Sequence, residues 1–361
     1  MKISRVILSA VLAALPVSTW AWQAAGHQKI GAIADRLLEG SAAQARVREI
    51  LVGRNLETLS VWADCVKGMA SSDGKTFTYQ ANPERYPECT AFGSEEETGR
   101  MRDYVARNWN QCGAARGREY CHNQYHYADV ADSRDHYESG LAGTTPHDIV
   151  HSINAAIAVL QGRQPDVPFN IRDKREALAL LVHFVGDIHQ PLHVAALYLD
   201  ARGQVIDPDR QNHQPGNDTA GGNNLVVGPS LLHTMWDAIP PADRKSGGDF
   251  DGLLSRTGEV PITGGEVSSW SSSWADEALL IARQTVFKGL AYTMRPGPAC
   301  IDPSLVPEKW DVSGVDEAYR ETADETKRRQ LVKAGARLAQ VLRRIWPDPT
   351  GGGSLVGQEP L

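Results

Sequence analysis

Cysteine pairs at metal-finger spacing are missing from this chain. Its five cysteines, Cys65, Cys89, Cys112, Cys121 and Cys300, include no C-x2-C, which argues against a cysteine-based zinc finger. Long apolar runs are missing as well. After the first 21 residues no stretch approaches the ~18 consecutive apolar residues of a membrane helix. There is no internal repeat and no His-rich tract of the kind that stores metal. Positive charge is also short. Lys and Arg number 37 against 44 Asp and Glu, a formal net charge of −7. Such a surface has no general attraction for a phosphate backbone, which speaks against a sequence-reading DNA-binding protein. A few lysines or bound metals still suffice to hold a polyanion locally, so a nucleic-acid substrate stays open.

The 361 residues are enough for one large domain or two small ones. Lys2 and Arg5, the apolar stretch Val6 to Leu15 and Thr19-Trp20-Ala21 have the layout of a secretory signal over residues 1–21. The mature chain then starts at Trp22, in a secreted or periplasmic protein, and its formal charge is more negative by two. An oxidising compartment favours one or two disulfides with an odd thiol left over, and Cys112–Cys121, bracketing a Gly/Arg-rich loop, is the favoured pair.

Helical patterning covers most of the rest. Helices are expected over His27–Leu38, Ala42–Val52 with Ser41 as N-cap, Leu56–Lys67, Ser94–Trp109, Thr144–Leu160, Arg172–Leu192, Pro229–Ala238, Ser268–Leu290 and Val315–Ile345. Residues 70–93 and 200–222 read as polar loops, 124–129 as a short strand or extended segment, and 223–227 as a strand. The expectation is one mainly α domain over 22–346, a multi-helix fold with a short β-hairpin and long loops, and a flexible tail at 347–361.

Chemistry concentrates in Leu181-Val-His183-Phe-Val-Gly-Asp187-Ile-His189-Gln-Pro-Leu-His193. His183 and Asp187 are four apart and share one helix face, while Pro191 ends or kinks the helix and re-aims His193. Imidazole and carboxylate together on an apolar background suit a borderline cation such as zinc. His233-x3-Asp237 repeats the spacing, His126-Tyr127-Ala128-Asp129 offers another pairing, and Trp22-x4-His27 and Trp62-Ala-Asp64 add further donors.

These segments, with Gly221-Gly-Asn223-Asn224, occur in order over residues 22–237, and the chain resembles the zinc-dependent single-strand-specific nucleases (type I, the S-one/P-one family). More distantly it resembles the zinc-dependent phospholipases C, whose fold type it would share. The resemblance implies three zinc ions. One would take Asp64, His126, His183 and Asp187. A second would take the amine and carbonyl of Trp22 with His27, sharing Asp187 as a bridge. The third would take His193, His233 and Asp237. It further implies in-line hydrolysis of single-stranded DNA and RNA to products with 5′-phosphates, with 3′-nucleotides as a further candidate substrate. Asp64, Lys67 and Asp187 would carry the chemistry, with Lys67 on the phosphate charge. Tyr127 and Asp129 would hold a base, beside the Asn223–Asn224 turn.

Among the other histidines, His189 is expected to orient a ligand, and His147 and His151 to stay off the metal. His122, His136 and His213 are expected in solvent. Trp62 and Trp236 read as core. Two rival functions remain at this point, a phospholipase C with the same metal scheme and a non-catalytic zinc-binding exported protein. The aspartate at the end of His233-x3-Asp237 and the short Trp22-to-His27 spacing favour the nuclease. No obligate protein partner and no membrane partner are expected.

Overall fold

Polar caps set where half of the described helices begin. The computed structural model describes residues 22–109, 120–211, 215–240, 243, 249–295 and 309–349. In chain order its first helices are α1 (Gln23–Leu37), α2 (Ala42–Leu51), α3 (Leu56–Leu59), α4 (Trp62–Cys65), α5 (Glu95–Arg107) and α6 (Cys121–Gln124). There follow α7 (Ile149–Leu160), α8 (Lys174–Ile188), α9 (Leu232–Asp237), α10 (Phe250–Ser255), α11 (Trp270–Ile281) and α12 (Glu317–Ile345). Side chains of Ser41, Asn55, Ser94, Asp148, Asp173 and Asp316 accept amide protons at the starts of α2, α3, α5, α7, α8 and α12. The mainly α architecture matches the sequence reading.

Helix α8 is the axis of the fold. It is buried continuously from Glu176 to Ile188 and packs against α1, α4, α7, α11 and α12. Its length is set at both ends, by the Asp173 cap and by Pro191, which cannot donate to the Asp187 carbonyl. A 3-10 turn over Pro191–His193 follows, so His193 is turned away from the α8 axis.

Three small sheets join the helices. Strands β1 (Met69–Ala70) and β2 (Thr78–Tyr79) pair antiparallel inside the segment expected as loop, and β3 (Val130–Ala131) pairs in parallel with β4 (Ala195–Ala196). The third sheet has four strands. In it the hairpin of β5 (Leu225–Val227) and β6 (Ser230–Leu231) adds in parallel to β8 (Trp310–Ser313), whose other neighbour is β7 (Ala291–Met294).

Several boundaries differ from expectation. The single helix expected over Leu56–Lys67 is α3, α4 and a 3-10 turn at Val66–Gly68. The break lies at Ser60, whose hydroxyl returns to the Glu57 carbonyl and whose own carbonyl accepts from His183 Nδ1 at 2.7 Å instead of joining the helix ladder. The helix expected from Pro229 begins only at Leu232, because Ser230–Leu231 is used as β6. The helix expected to Leu290 widens into a π turn at Ala282–Val286. A disulfide joins Cys65 to Cys89 across 24 residues, a pair not chosen from the sequence. Cys121 is also disulfide-bonded. Its expected partner Cys112, with Cys300, His213, residues 1–21 and most of the 347–361 tail, lies outside the described residues. No helix among the described residues is long and apolar enough to cross a membrane.

Candidate metal centre

Six elements bring eight of the nine expected ligand residues to one place. α1 carries His27, α4 Asp64, the turn after α6 His126, α8 His183 and Asp187, the 3-10 turn His193, and α9 His233 and Asp237. All eight of these residues are buried, the most exposed at only 5%. Their ligand atoms cluster as His27/His183/Asp187, Asp64/His126/His183 and His193/His233/Asp237, each group within 4.8 Å. Trp22, the ninth, is fully buried at the start of α1 with its indole donating to the Gly186 carbonyl at 2.8 Å, so it lies beside Asp187.

Glycine makes the approach of α1 to α8 and to α3 feasible. A Cβ on Gly186 would stand 2.8 Å from His27 Nδ1, and one on Gly31 2.6 Å from the Leu56 carbonyl oxygen. His27 and His183 stack with ring centroids 3.8 Å apart.

The backbone fixes which face of each ring looks inward. Nδ1 of His183, His193 and His233 donates to the carbonyls of Ser60, His126 and Gly221 at 2.7, 2.8 and 2.7 Å. A carbonyl only accepts, so the proton sits on Nδ1 and each Nε2 lone pair points into the site. That is the arrangement of a metal-ligating imidazole with its outer hydrogen bond in place.

Each carboxylate follows one pattern. Asp64 Oδ1 accepts from Lys67 Nζ at 2.8 Å and Asp237 Oδ1 from Gln190 Nε2 at 2.7 Å, while Asp187 Oδ2 lies 3.0 Å from His126 Nδ1. The second oxygen of each, Asp64 Oδ2, Asp187 Oδ1 and Asp237 Oδ2, has no hydrogen-bond partner, and neither has Nε2 of His183 or His193. Buried, unpaired donors of this kind cost about 1–3 kcal/mol each unless something occupies the space between them. A divalent cation held by imidazole and carboxylate fits that requirement. Asp187 faces two ways, Oδ1 to His27 Nε2 at 3.2 Å and Oδ2 to His126 and His183 at 3.0 and 3.2 Å.

The electrostatics favour ionised carboxylates and three neutral imidazoles, whereas, against burial, Asp187 and Asp64 raise the pKa of His183, and Asp187 and Asp237 raise that of His193. Burial alone would raise the Asp187 pKa, but His183, His193 and the His126 bond outweigh it and hold the carboxylate well below the usual range. Asp64 is likewise lowered against its burial by Lys67, His183 and His126. Burial, helped by Lys67, pushes His126 down to about 3. Burial also lowers His27 and His233, which keeps them neutral.

The expected substrate residues flank the third group. Ala128 N donates to the His193 carbonyl and Asp129 N to Gly143, and β3 runs beside β4, which brings the Tyr127–Asp129 segment to the His193 side. Tyr127, Asp129 and Asn223 are half-buried. Asn224 differs from expectation. It is buried with its amide donating to the Asp218 carbonyl, which holds the turn together, and its own carbonyl receives Trp310 N from β8. The turn also touches the third group, because His233 Nδ1 and N bond to the Gly221 and Gly222 carbonyls.

Two expectations about other histidines are corrected. His189 orients no ligand. It sits two residues past Asp187, about 200° around the helix axis. Its Nδ1 donates to Val185 O at 2.7 Å and its Nε2 accepts from Arg337 at 2.8 Å. His122 is not in solvent but 3% exposed, in a parallel stack with Trp109 and Tyr120, and burial lowers its pKa to about 4. His136 is exposed as expected, and His147 and His151 bond to Gln124 and Asp148 outside the three groups. Trp62 and Trp236 are core, as read. The residue that sequence reasoning missed is Gln190, whose only visible signal was its place in the His-Gln-Pro-Leu-His run.

Comparison with known proteins bears on this cluster. A family model described as S1/P1 Nuclease matches residues 22–347. Endonuclease 1 of Arabidopsis thaliana is 28% identical to the chain over 239 residues, covering 62% of this chain and 68% of that protein.

Proposed function

The chain belongs to the S1/P1 nuclease family and is a nuclease, and from that premise we propose that it is an exported trinuclear-zinc endonuclease. Its substrates are single-stranded DNA and RNA, cleaved to products with 5′-phosphates, with 3′-nucleotides as further substrates. The observation that carries this reading is the convergence of three His/Asp groups whose unpaired ligand atoms face one another in a buried site.

Asp64, His126, His183 and Asp187 Oδ2 would hold one ion. His27, Asp187 Oδ1 and the backbone of Trp22 would hold the second, and His193, His233 and Asp237 the third. Zinc bound there would supply Lewis-acid polarisation of the phosphate and a water of lowered pKa. The chain's own part is to position and to balance charge. Three backbone carbonyls fix the imidazole tautomers, and Asp187 serves two groups at once. Lys67, 22% exposed beside Asp64 at 2.8 Å, supplies a cation for the charge that grows on phosphate in the transition state. The half-exposed ring of Tyr127 and the carboxylate of Asp129 receive a base that is free to leave its stack, which accounts for single-strand preference. Export is supported by the Cys65–Cys89 disulfide, which belongs in an oxidising compartment.

The test is hydrolysis by protein beginning at Trp22, before chelation, after it, and after zinc is restored. Single-stranded DNA, RNA, duplex DNA and phosphatidylcholine are compared. Zinc-restored cleavage of the single strands, with little on the duplex and none on the lipid, is expected. Lipid hydrolysis, or nuclease activity indifferent to chelation, would overturn the reading.

A further inference from the structure

We propose that Gln190 is the positioning residue of the third ion site, holding Asp237 so that only Oδ2 is presented to the ion. The inference rests on the trinuclear reading and assigns a role to a residue that is not itself a ligand.

Gln190 is completely buried between the end of α8 and α9. Its amide orientation is determined by its neighbours. Oε1 accepts from the Leu192 amide at 2.7 Å, so the other end of the amide is Nε2. Nε2 donates to Asp237 Oδ1 at 2.7 Å. Asp237 Oδ2 is left without a hydrogen bond, 3.4 Å from His233 Nε2, while Oδ1 stands 3.8 Å from His193 Nε2.

Asp64 is constrained by the Lys67 ammonium, as described above. Gln190 does the same task for Asp237 with a neutral group. It therefore fixes the side-chain torsion without cancelling the negative charge that draws a cation. One side chain also couples the two elements of the site. The Leu192 bond shapes the turn that aims His193, and the Asp237 bond sets the ligand on α9.

Helix α9 does not depend on Gln190 for its place. Trp236 Nε1 donates to Tyr319 Oη at 3.0 Å, Tyr319 donates on to Val286 O at 2.7 Å, and Lys327 Nζ donates to Ala238 O at 3.0 Å. These bonds brace α9 against α12 and the π turn. Removing the glutamine amide should free the carboxylate to rotate while leaving the helix seated.

The experiment compares wild type with Gln190→Met, which keeps the length and loses the amide, and Gln190→Asn, which keeps the amide one methylene short of Asp237. Zinc content is measured by elemental analysis across a graded series of chelator concentrations, with the thermal midpoint of the metal-free protein alongside. The wild type should retain three ions. Both variants should hold two as tightly as wild type and the third about 10–100-fold more weakly, the range for loss of an outer hydrogen bond to a ligand. Metal-free protein that still melts cooperatively is expected, with a midpoint lowered by the loss of the buried amide bonds. Three ions held with unchanged affinity in both variants would overturn the proposal, and so would equal weakening of all three ions. Fewer than three ions in the wild type would overturn the trinuclear reading and this role with it.

Discussion

Substituting Gly186 sets two effects of opposite sign against each other. In the interior of a helix, Gly→Ala gains about 1 kcal/mol of backbone propensity. Gly186 lies inside α8, so in a loose environment Gly186→Ala should stabilise. The structure says otherwise. The added Cβ would meet His27 Nδ1 at 2.8 Å, His27 Cε1 at 3.0 Å and Ile30 Cδ1 at 3.2 Å. Those contacts fall short of ordinary van der Waals separation by roughly half an ångström, and overpacking of this kind costs about 1–3 kcal/mol. The imidazole cannot simply swing aside. Its other face stacks on His183 at 3.8 Å, and its Nε2 is 3.2 Å from Asp187 Oδ1. The strain should therefore move α1 or turn the ring out of line with Asp187. Net destabilisation of about 0–2 kcal/mol follows from the two ranges together, along with weaker binding of the ion assigned to His27. Thermal melts of metal-free protein and a zinc titration against a competing chelator read the two effects separately. A Gly186→Ala protein more stable than wild type, with its full complement of ions, would refute the packing argument.

Further outcomes can be checked alongside. Asp187→Asn should lose more than one ion, since its two oxygens face different histidines, and elemental analysis showing a single ion lost would count against the bridge. Lys67→Met should lower kcat far more than it raises KM, because a cation for transition-state charge acts after binding. A pure KM effect would make Lys67 a binding residue. Glu277 has its pKa lowered to about 2 from 4.5, against its burial, by Arg337 and Lys333. A depressed carboxylate contributes stability above its unfolded pKa and loses it as pH falls through the folded one. Glu277→Gln should therefore cost on the order of 2–3 kcal/mol at pH 7 and about half of that near pH 3. A penalty that does not shrink with acid would show that packing, not charge, is at work there.

What could be read in the sequence was local. His183 with Asp187, and His233 with Asp237, are one helical turn apart, and Ser41 and Ser94 fall where helices begin. Long-range features left no such trace. The parallel pairing of β5 with β8 joins Leu225 to Trp310, and neither strand announces the other. The Cys65–Cys89 bond spans 24 residues with nothing in the spacing to favour it over other pairs. The break at Ser60 is imposed by a histidine 123 positions away. His122 looked like a loop histidine because the stack that buries it is built by tertiary packing with Trp109 and Tyr120. His189 looked like part of the site because closeness in sequence hides a half-turn of rotation. Gln190 was passed over because an amide carries no metal-ligand signature of its own.

The central claim is that buried groups from six elements enclose three divalent ions. Anomalous diffraction at the zinc edge, from crystals of the protein beginning at Trp22, addresses it directly. Three peaks are predicted, one inside each of the His27/His183/Asp187, Asp64/His126/His183 and His193/His233/Asp237 groups. Peaks elsewhere, or no zinc signal within these groups, would contradict it.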